Sequence, residues 1–204
     1  MAKIKLTKNE LKQQRDALKR FQRYLPTLQL KKQQLQLEVR QTREELSRLE
    51  AERQADLDAH AGELALYAGV EEASFAELLS VQSWTVGVRN IAGTDVPVHA
   101  GLEFTRGEAD LFAAPLWQDD LLALVERQTA MRLKRRLVAE QLECIEAELR
   151  TVTQRVNLFE KVKIPDAQEN IRRINIYLGD QQTNSVGRSK IAKAKCQVRD
   201  AETM

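Results

Sequence analysis

Between Leu11 and Asp56 a side chain suited to a buried seam returns at alternating intervals of three and four residues, and this repeat constrains the fold more than any other feature. With Leu11 at heptad position a, the a series is Leu11, Leu18, Leu25, Lys32, Val39, Leu46 and Arg53. The d series is Gln14, Phe21, Leu28, Leu35, Thr42, Leu49 and Asp56, and nine of the fourteen are apolar. Such spacing keeps one narrow stripe on one helix face, so the segment must be a long helix that lies against a partner. Thr7-Lys8-Asn9-Glu10 predicts its start as a capping box, with Thr7 as N-cap and Glu10 three residues on.

A second stretch behaves the same way, with d-like Leu124, Met131, Val138, Ile145, Val152 and Phe159 and a-like Leu142, Leu149 and Val156. It is predicted to begin near Trp117 or Asp119. After an interruption at Pro165 it should run through Ile171, Ile174 and Leu178 and stop at Gly179. Six of the eight glycines fall between Gly62 and Gly107, so glycine-free stretches flank a glycine-rich middle. There, Ala73 to Leu79 predicts a short helix, and 82–105 predicts two strands around the turn Ala92-Gly93-Thr94-Asp95. Pro97 places the second strand at an edge. A lone hairpin is marginal in water and should pack on a helix or a partner.

The expected fold class is therefore mainly α: a long antiparallel two-helix coiled coil with a small central α+β segment carrying a β-hairpin. The divisions are an N-terminal helix over 1–61, a central segment over 62–116, a C-terminal helix over 117–180 and a basic, flexible tail over 181–204. Pairing Leu11 near Leu178 sets Pro26 close to the level of Pro165, which predicts a bend shared by both helices. In that register Lys32, a charge at an a position, faces Asn157 and Glu160, and a buried Lys32–Glu160 pair is expected across the seam.

The chemistry-bearing residues form no catalytic set. His60 and His99 are the only histidines, with no metal-ligand spacing to another ligand type, and Cys144 and Cys196 form no CxxC, so reduced thiols and no metal site are expected. Gly87, Gly93 and Gly101 do not match a phosphate-cradling loop, so no nucleotide and no other cofactor is expected. Glu71-Glu72 and Asp119-Asp120 suit the positive ends of helices better than acid–base catalysis. The basic run Arg132, Lys134, Arg135 and Arg136 has no interleaved aromatics for base stacking, and nucleic acid is not expected as a partner. No apolar run reaches the roughly 18 residues of a membrane span, and the basic N-terminus lacks an export signal, so the expected location is cytoplasmic.

Charge is unevenly spread. Residues 1–60 carry 14 Lys/Arg against 9 Asp/Glu, whereas 61–120 carry 2 against 10. If the two ends fold side by side, a basic end and an acidic end result, which orients a molecule towards partners.

Two blocks resemble the helices of the D-subunit family of V-type ATP synthases. One is Leu6-Thr7-Lys8-Asn9-Glu10-Leu11 with Leu25-Pro26-Thr27-Leu28-Gln29-Leu30-Lys31-Lys32. The other is Arg155-Val156-Asn157-Leu158-Phe159-Glu160 with Ile164-Pro165 and Ile171-Arg172-Arg173-Ile174, and the central Asn90-Ile91-Ala92-Gly93 with Val96-Pro97 is also similar. The resemblance implies a non-catalytic rotor shaft whose terminal end enters the catalytic hexamer of A and B subunits. Its central portion would sit beside the F subunit and the socket above the membrane ring, peripheral to the cell membrane.

On that reading the tip contacts are Lys3, Lys5, Lys8, Lys12, Arg188, Lys190, Lys193 and Lys195, and the bend lies at Pro26 and Pro165. The partner-docking hairpin would present Trp84, Val86, Val88, Val96, Val98 and Phe104. The competing reading is a generic coiled-coil scaffold without a rotary role, for which the heptads alone would serve.

Overall fold

The computed structural model describes residues 4–63, 78–107 and 115–202. Among these residues five regular elements follow in order: helix α1 (Lys8–Ala59), strands β1 (Leu79–Ile91) and β2 (Thr94–Arg106), helix α2 (Gln118–Leu158) and helix α3 (Ile164–Glu202). A single π turn (Phe159–Lys163) joins α2 to α3. The expected helix from Ala73 falls almost entirely outside the described residues, as do Lys3, Glu71 and Glu72. The chain divides into one unit of Met1–Leu30 with Val152–Met204 and another of Lys31–Thr151.

The capping box forms at its N-cap, where Thr7 Oγ1 accepts the amide N–H of Glu10 at 3.3 Å. From there the heptad assignment holds along the whole of α1. All fourteen a and d residues from Leu11 to Asp56 are buried or half-buried, and Leu35, Val39 and Thr42 are the most enclosed. Pro26 does not interrupt the helix. The hydroxyl of the next residue, Thr27, donates to the carbonyl of Tyr24 at 2.8 Å, one of the local bonds that occupy backbone acceptors beside a proline.

In the terminal unit the start of α1 runs antiparallel to the C-terminal helix. Phe21 packs on Phe159 with ring centroids 5.4 Å apart, and Arg15 Nη2 donates to Asn175 Oδ1 at 3.4 Å. Val152, Val156, Ala167 and Ile174 are buried along the seam. The shared bend needs correction, because Pro26 and Pro165 follow Phe21 and Phe159 by five and six residues. In an antiparallel pair those steps lead in opposite directions, so the prolines lie on opposite sides of the ring contact, more than a helical turn apart.

A second correction concerns the helix end. α3 does not stop at Gly179 but continues through Gly187 to Glu202. A glycine costs a helix interior only about 1 kcal/mol, and Thr183 and Ser189 hydroxyls bond back to the Gly179 and Ser185 carbonyls. The segment that follows, with Ile191, Ala192, Lys193, Ala194 and Lys195, favours helix.

In the central unit the rest of α1 runs antiparallel to α2, tied by Lys31–Glu148 at 2.6 Å and Arg43–Glu146 at 2.6 Å. Arg135 pairs with Glu50 further along. The two strands pair antiparallel from Leu79 with Arg106 to Ile91 with Thr94, three residues longer at the outset than expected. Ala92 and Gly93 form the two-residue loop with φ of 51° and 81°, the left-handed twist a tight hairpin demands. Asn90 closes it, accepting from the Gly93 amide at 3.0 Å and donating to Asp95 at 2.6 Å. As a hairpin of two strands must, it packs on helix: Ile91 and Val96 are buried, and Gln141 of α2 donates to the Pro97 carbonyl.

Ile174 is fully buried in the terminal seam, whereas Leu37 is 57% exposed on the outer face of α1. Ile174→Ala is expected to cost about 2–4 kcal/mol, against less than about 0.5 kcal/mol for Leu37→Ala. Urea unfolding of the two variants measures the difference.

Candidate functional site

The described residues contain no group of three or more His, Cys, Asp or Glu placed to hold a metal. Among them, no helix is long and apolar enough to cross a membrane. Cys144 and Cys196 are free, exposed thiols. What the fold offers is surface, and two regions collect the residues singled out from the sequence.

The first is the basic end of the terminal unit. Lys5, Lys8 and Lys12 are exposed on the first turns of α1 and just before it, and Arg188, Lys190, Lys193 and Lys195 are exposed on α3. The two groups are staggered. From the Arg15–Asn175 contact, α1 has seven residues left to Lys8 while α3 has 27 left to Glu202. At 1.5 Å per residue, α3 therefore outruns α1 by about 30 Å, and by about 45 Å when reckoned from the Phe21–Phe159 contact. From Gly179 to Gln197 every side chain is exposed. Val186 and Ile191, at 57% and 60% exposure, go uncovered within this chain.

The second region is the hairpin. Of its six expected docking residues, Val96 is fully buried against its own unit and cannot meet a partner; Val98, Trp84 and Phe104 are half-buried, and Val86 and Val88 are 46% and 71% exposed. The outward apolar surface is thus Val81, Val86 and Val88 on β1. The indole Nε1 of Trp84 is buried with no hydrogen-bond partner within the described residues.

The hairpin's position is set at both ends of its contact with α2. Near one end Gln141 holds Pro97, and at the other Arg106 makes a two-pronged bond to Glu126, at 2.8 and 2.9 Å. These hydrogen bonds hold the Glu126 carboxyl below the usual carboxylate range and raise the Arg106 guanidinium. Neither Gln141 nor Glu126 was singled out from the sequence. The available signal was that Leu121-Leu122 and Leu137-Val138 put apolar residues side by side, so α2 must bury a second face beside its heptad stripe.

Lys32 is half-buried in the central unit, and Glu160 is exposed in the terminal one. The ion pair found at this point of α1 belongs to the neighbouring Lys31, with Glu148. Further along, the seam itself becomes polar. Asp56 accepts from Gln128 at 2.7 Å and lies 3.6 Å from Arg127, whose guanidinium also reaches His60 Nε2 at 3.2 Å. His60 Nδ1 lies 2.7 Å from the Asp56 carbonyl, so the histidine has a local structural role at the end of α1.

The profile of the D-subunit family of ATP synthases matches residues 10–194. The V-type ATP synthase D subunit of Borreliella burgdorferi is 41% identical over 194 residues, covering 95% of each chain. Proteins with the same description from Chlamydia muridarum and Chlamydia caviae are 36% and 34% identical, covering 96% and 99% of this chain and 97% and 98% of theirs.

A depressed carboxylate contributes above its ordinary range and loses that contribution as pH falls through its folded value. The Arg106–Glu126 tether should therefore hold at neutral pH and weaken below the ordinary glutamate range of about 4.3. Glu126→Gln should loosen the hairpin at neutral pH and remove this acid-dependent step, as read from the β1 and β2 amide resonances during acid titration. An unchanged step in the variant would assign it to another group.

Proposed function

We propose a residue-level account of torque transmission from one premise: the chain belongs to the ATP synthase D-subunit family, and so is a non-catalytic central-stalk component of a V-type rotary ATPase. It works within a hetero-oligomeric complex, passing torque between the nucleotide-binding hexamer and the ion-translocating membrane ring. The observation that carries this is similarity along nearly the full length, at 41% identity over 95% of the chain. A free-standing scaffold would need only the heptads, and would leave the similarity of the hairpin and the terminal blocks without a cause.

A shaft must resist twist and present different faces to its surroundings as it turns. Two helices locked along an apolar stripe resist twist better than one, because rotating either tears a, d contacts from their holes. Each orientation then favours one state of the surroundings by making contacts the others do not, which is all that coupling requires.

The terminal unit enters the catalytic hexamer of A and B subunits. Lys5, Lys8 and Lys12 act there on the paired segment and Arg188, Lys190, Lys193 and Lys195 on the helix that extends past it. The apolar face of β1 at Val86 and Val88 docks the F subunit, and the central unit reaches the socket above the membrane ring. The complex lies on the cytoplasmic side, peripheral to the membrane.

Exposed ion pairs each contribute roughly 0.2–1 kcal/mol. Reversing Arg188, Lys190, Lys193 and Lys195 together to glutamate should therefore weaken coupling between hydrolysis and ion transport measurably, while helix content stays at the parental level. Ion pumping per ATP hydrolysed in the reconstituted complex is the measurement, and parental coupling would remove these residues from the tip.

For the hairpin, Val86→Asp with Val88→Asp is the cleaner probe, because deleting the strands would also uncover Gln141 and Leu137. The double variant should lose co-purification with the F subunit and keep its thermal unfolding temperature within about 3 °C. Retained pairing would place that contact elsewhere.

A further inference from the structure

In the terminal unit the covered positions of the C-terminal helix carry an irregularity that α1 lacks. Val152, Val156 and Phe159 are followed by Ile164, Ala167, Ile171, Ile174 and Leu178. Every interval is three or four residues except the five between Phe159 and Ile164. That interval coincides with the π turn Phe159–Lys163, where the Ile164 amide donates to the Phe159 carbonyl, five residues back. The four residues between these positions, Glu160, Lys161, Val162 and Lys163, are exposed.

A π turn is an α-helix with one residue inserted. In an α-helix Ile164, five residues after Phe159, would fall about 100° beyond the place that a four-residue step gives on the stripe. Here the wider turn takes up the extra residue, and Ile164 returns to the face that carries Phe159. We infer that Phe159–Lys163 is a register joint: one spare residue, held as a π turn by the seam contacts on both sides, which lets the helix give under twist without unseating either stripe.

Pro165 offers a rival cause, since a proline clashes with the carbonyl four residues before it. It does not account for the phase. A proline-driven turn on a continuous heptad would throw Ala167, Ile171, Ile174 and Leu178 off the seam, whereas Ala167 and Ile174 are 3% and 0% exposed. The apolar pattern already contains the extra residue, and the proline sits where the turn has opened the ladder. A spare residue can move along a helix one hydrogen bond at a time, so this stretch yields first when the two ends are twisted. Its use under load rests on the central-stalk reading. Its existence does not, and the isolated full-length chain tests it separately.

Deleting one residue from a packed helix ordinarily rotates everything downstream by about 100°. Here deletion of Val162, which is 44% exposed, should anneal the turn to α-helix and keep both stripes in place. Three variants decide it: Pro165→Ala alone, Pro165→Ala with Val162 deleted, and Pro165→Ala with Gln22 deleted from α1, which has no residue to spare.

Pro165→Ala alone should keep the Phe159–Ile164 bond, seen by through-bond NMR coupling. Its amides at 160–164 should exchange at least about tenfold faster than those on either side. Removing Val162 should bring that exchange down to the level of the flanks and leave the unfolding temperature within about 5 °C, while removing Gln22 should lower it by more than about 10 °C. The joint is overturned if Pro165→Ala by itself restores α-helix, if the two deletions cost the same, or if exchange is uniform across the turn.

Discussion

Everything else in this molecule hangs on the apolar stripe between antiparallel helices. Leu35, Ile145, Val152 and Ile174, the most enclosed aliphatic side chains of the paired helices, are fully buried. A fully buried aliphatic side chain contributes about 1.5–3 kcal/mol, and with aromatics at 5% of the chain there is little else to bury. The stripe also fixes direction and rotation, because a helix turned by one residue would point a different face at its neighbour. Partner surfaces on the outer faces are positioned only as well as the seam is.

That dependence explains which parts of the fold were legible in the residues. A repeat that must be obeyed at every heptad leaves an unmistakable trace, and all fourteen assigned positions of α1 proved covered, including Lys32, Arg53 and Asp56. The hairpin was legible for a different reason: left-handed φ angles at Ala92 and Gly93 restrict what can occupy a tight loop, and alternation on both sides restricts the strands. Register was not legible. A heptad repeat is compatible with sliding one helix past the other, and aligning the two prolines settled on an offset that the Phe21–Phe159 contact rules out. The spare residue at the π turn was visible as a five-residue interval, but Pro165 beside it read as a simple interruption. Gly179 misled because one glycine costs a helix only about 1 kcal/mol, and helix-favouring residues such as Lys190, Ala192, Lys193 and Ala194 resume beyond it.

The candidate surfaces divide in the same way. Basic residues at the two ends could be seen by counting, and those within the described residues are exposed. Their stagger could not be seen, since it comes from how far α3 outruns α1. For the hairpin, alternation named the residues but not which face looks inwards. Val96 went to the core because β2 meets the flank of α2 at Gln141, leaving β1 to present Val86 and Val88. Long-range pairs such as Arg106 with Glu126 lie outside the reach of any local pattern, and only the packed unit brings them within bonding distance.

A shaft that performs no chemistry can affect the chemistry of its neighbours only through free-energy differences among its contacts as it turns. Polar, exposed side chains suit that work. Each contact is worth little, so none holds the rotor in one orientation, and several acting together can still bias the states of the surrounding proteins. A large apolar patch at the tip would bind one state too firmly to leave it. On the proposed reading, the scattered cations of α3, with Val186 and Ile191 as isolated apolar points among them, are suited to the shallow and repeatable contacts that rotation needs. The buried stripe does the opposite, holding the paired helices together so that the torque they receive is passed on.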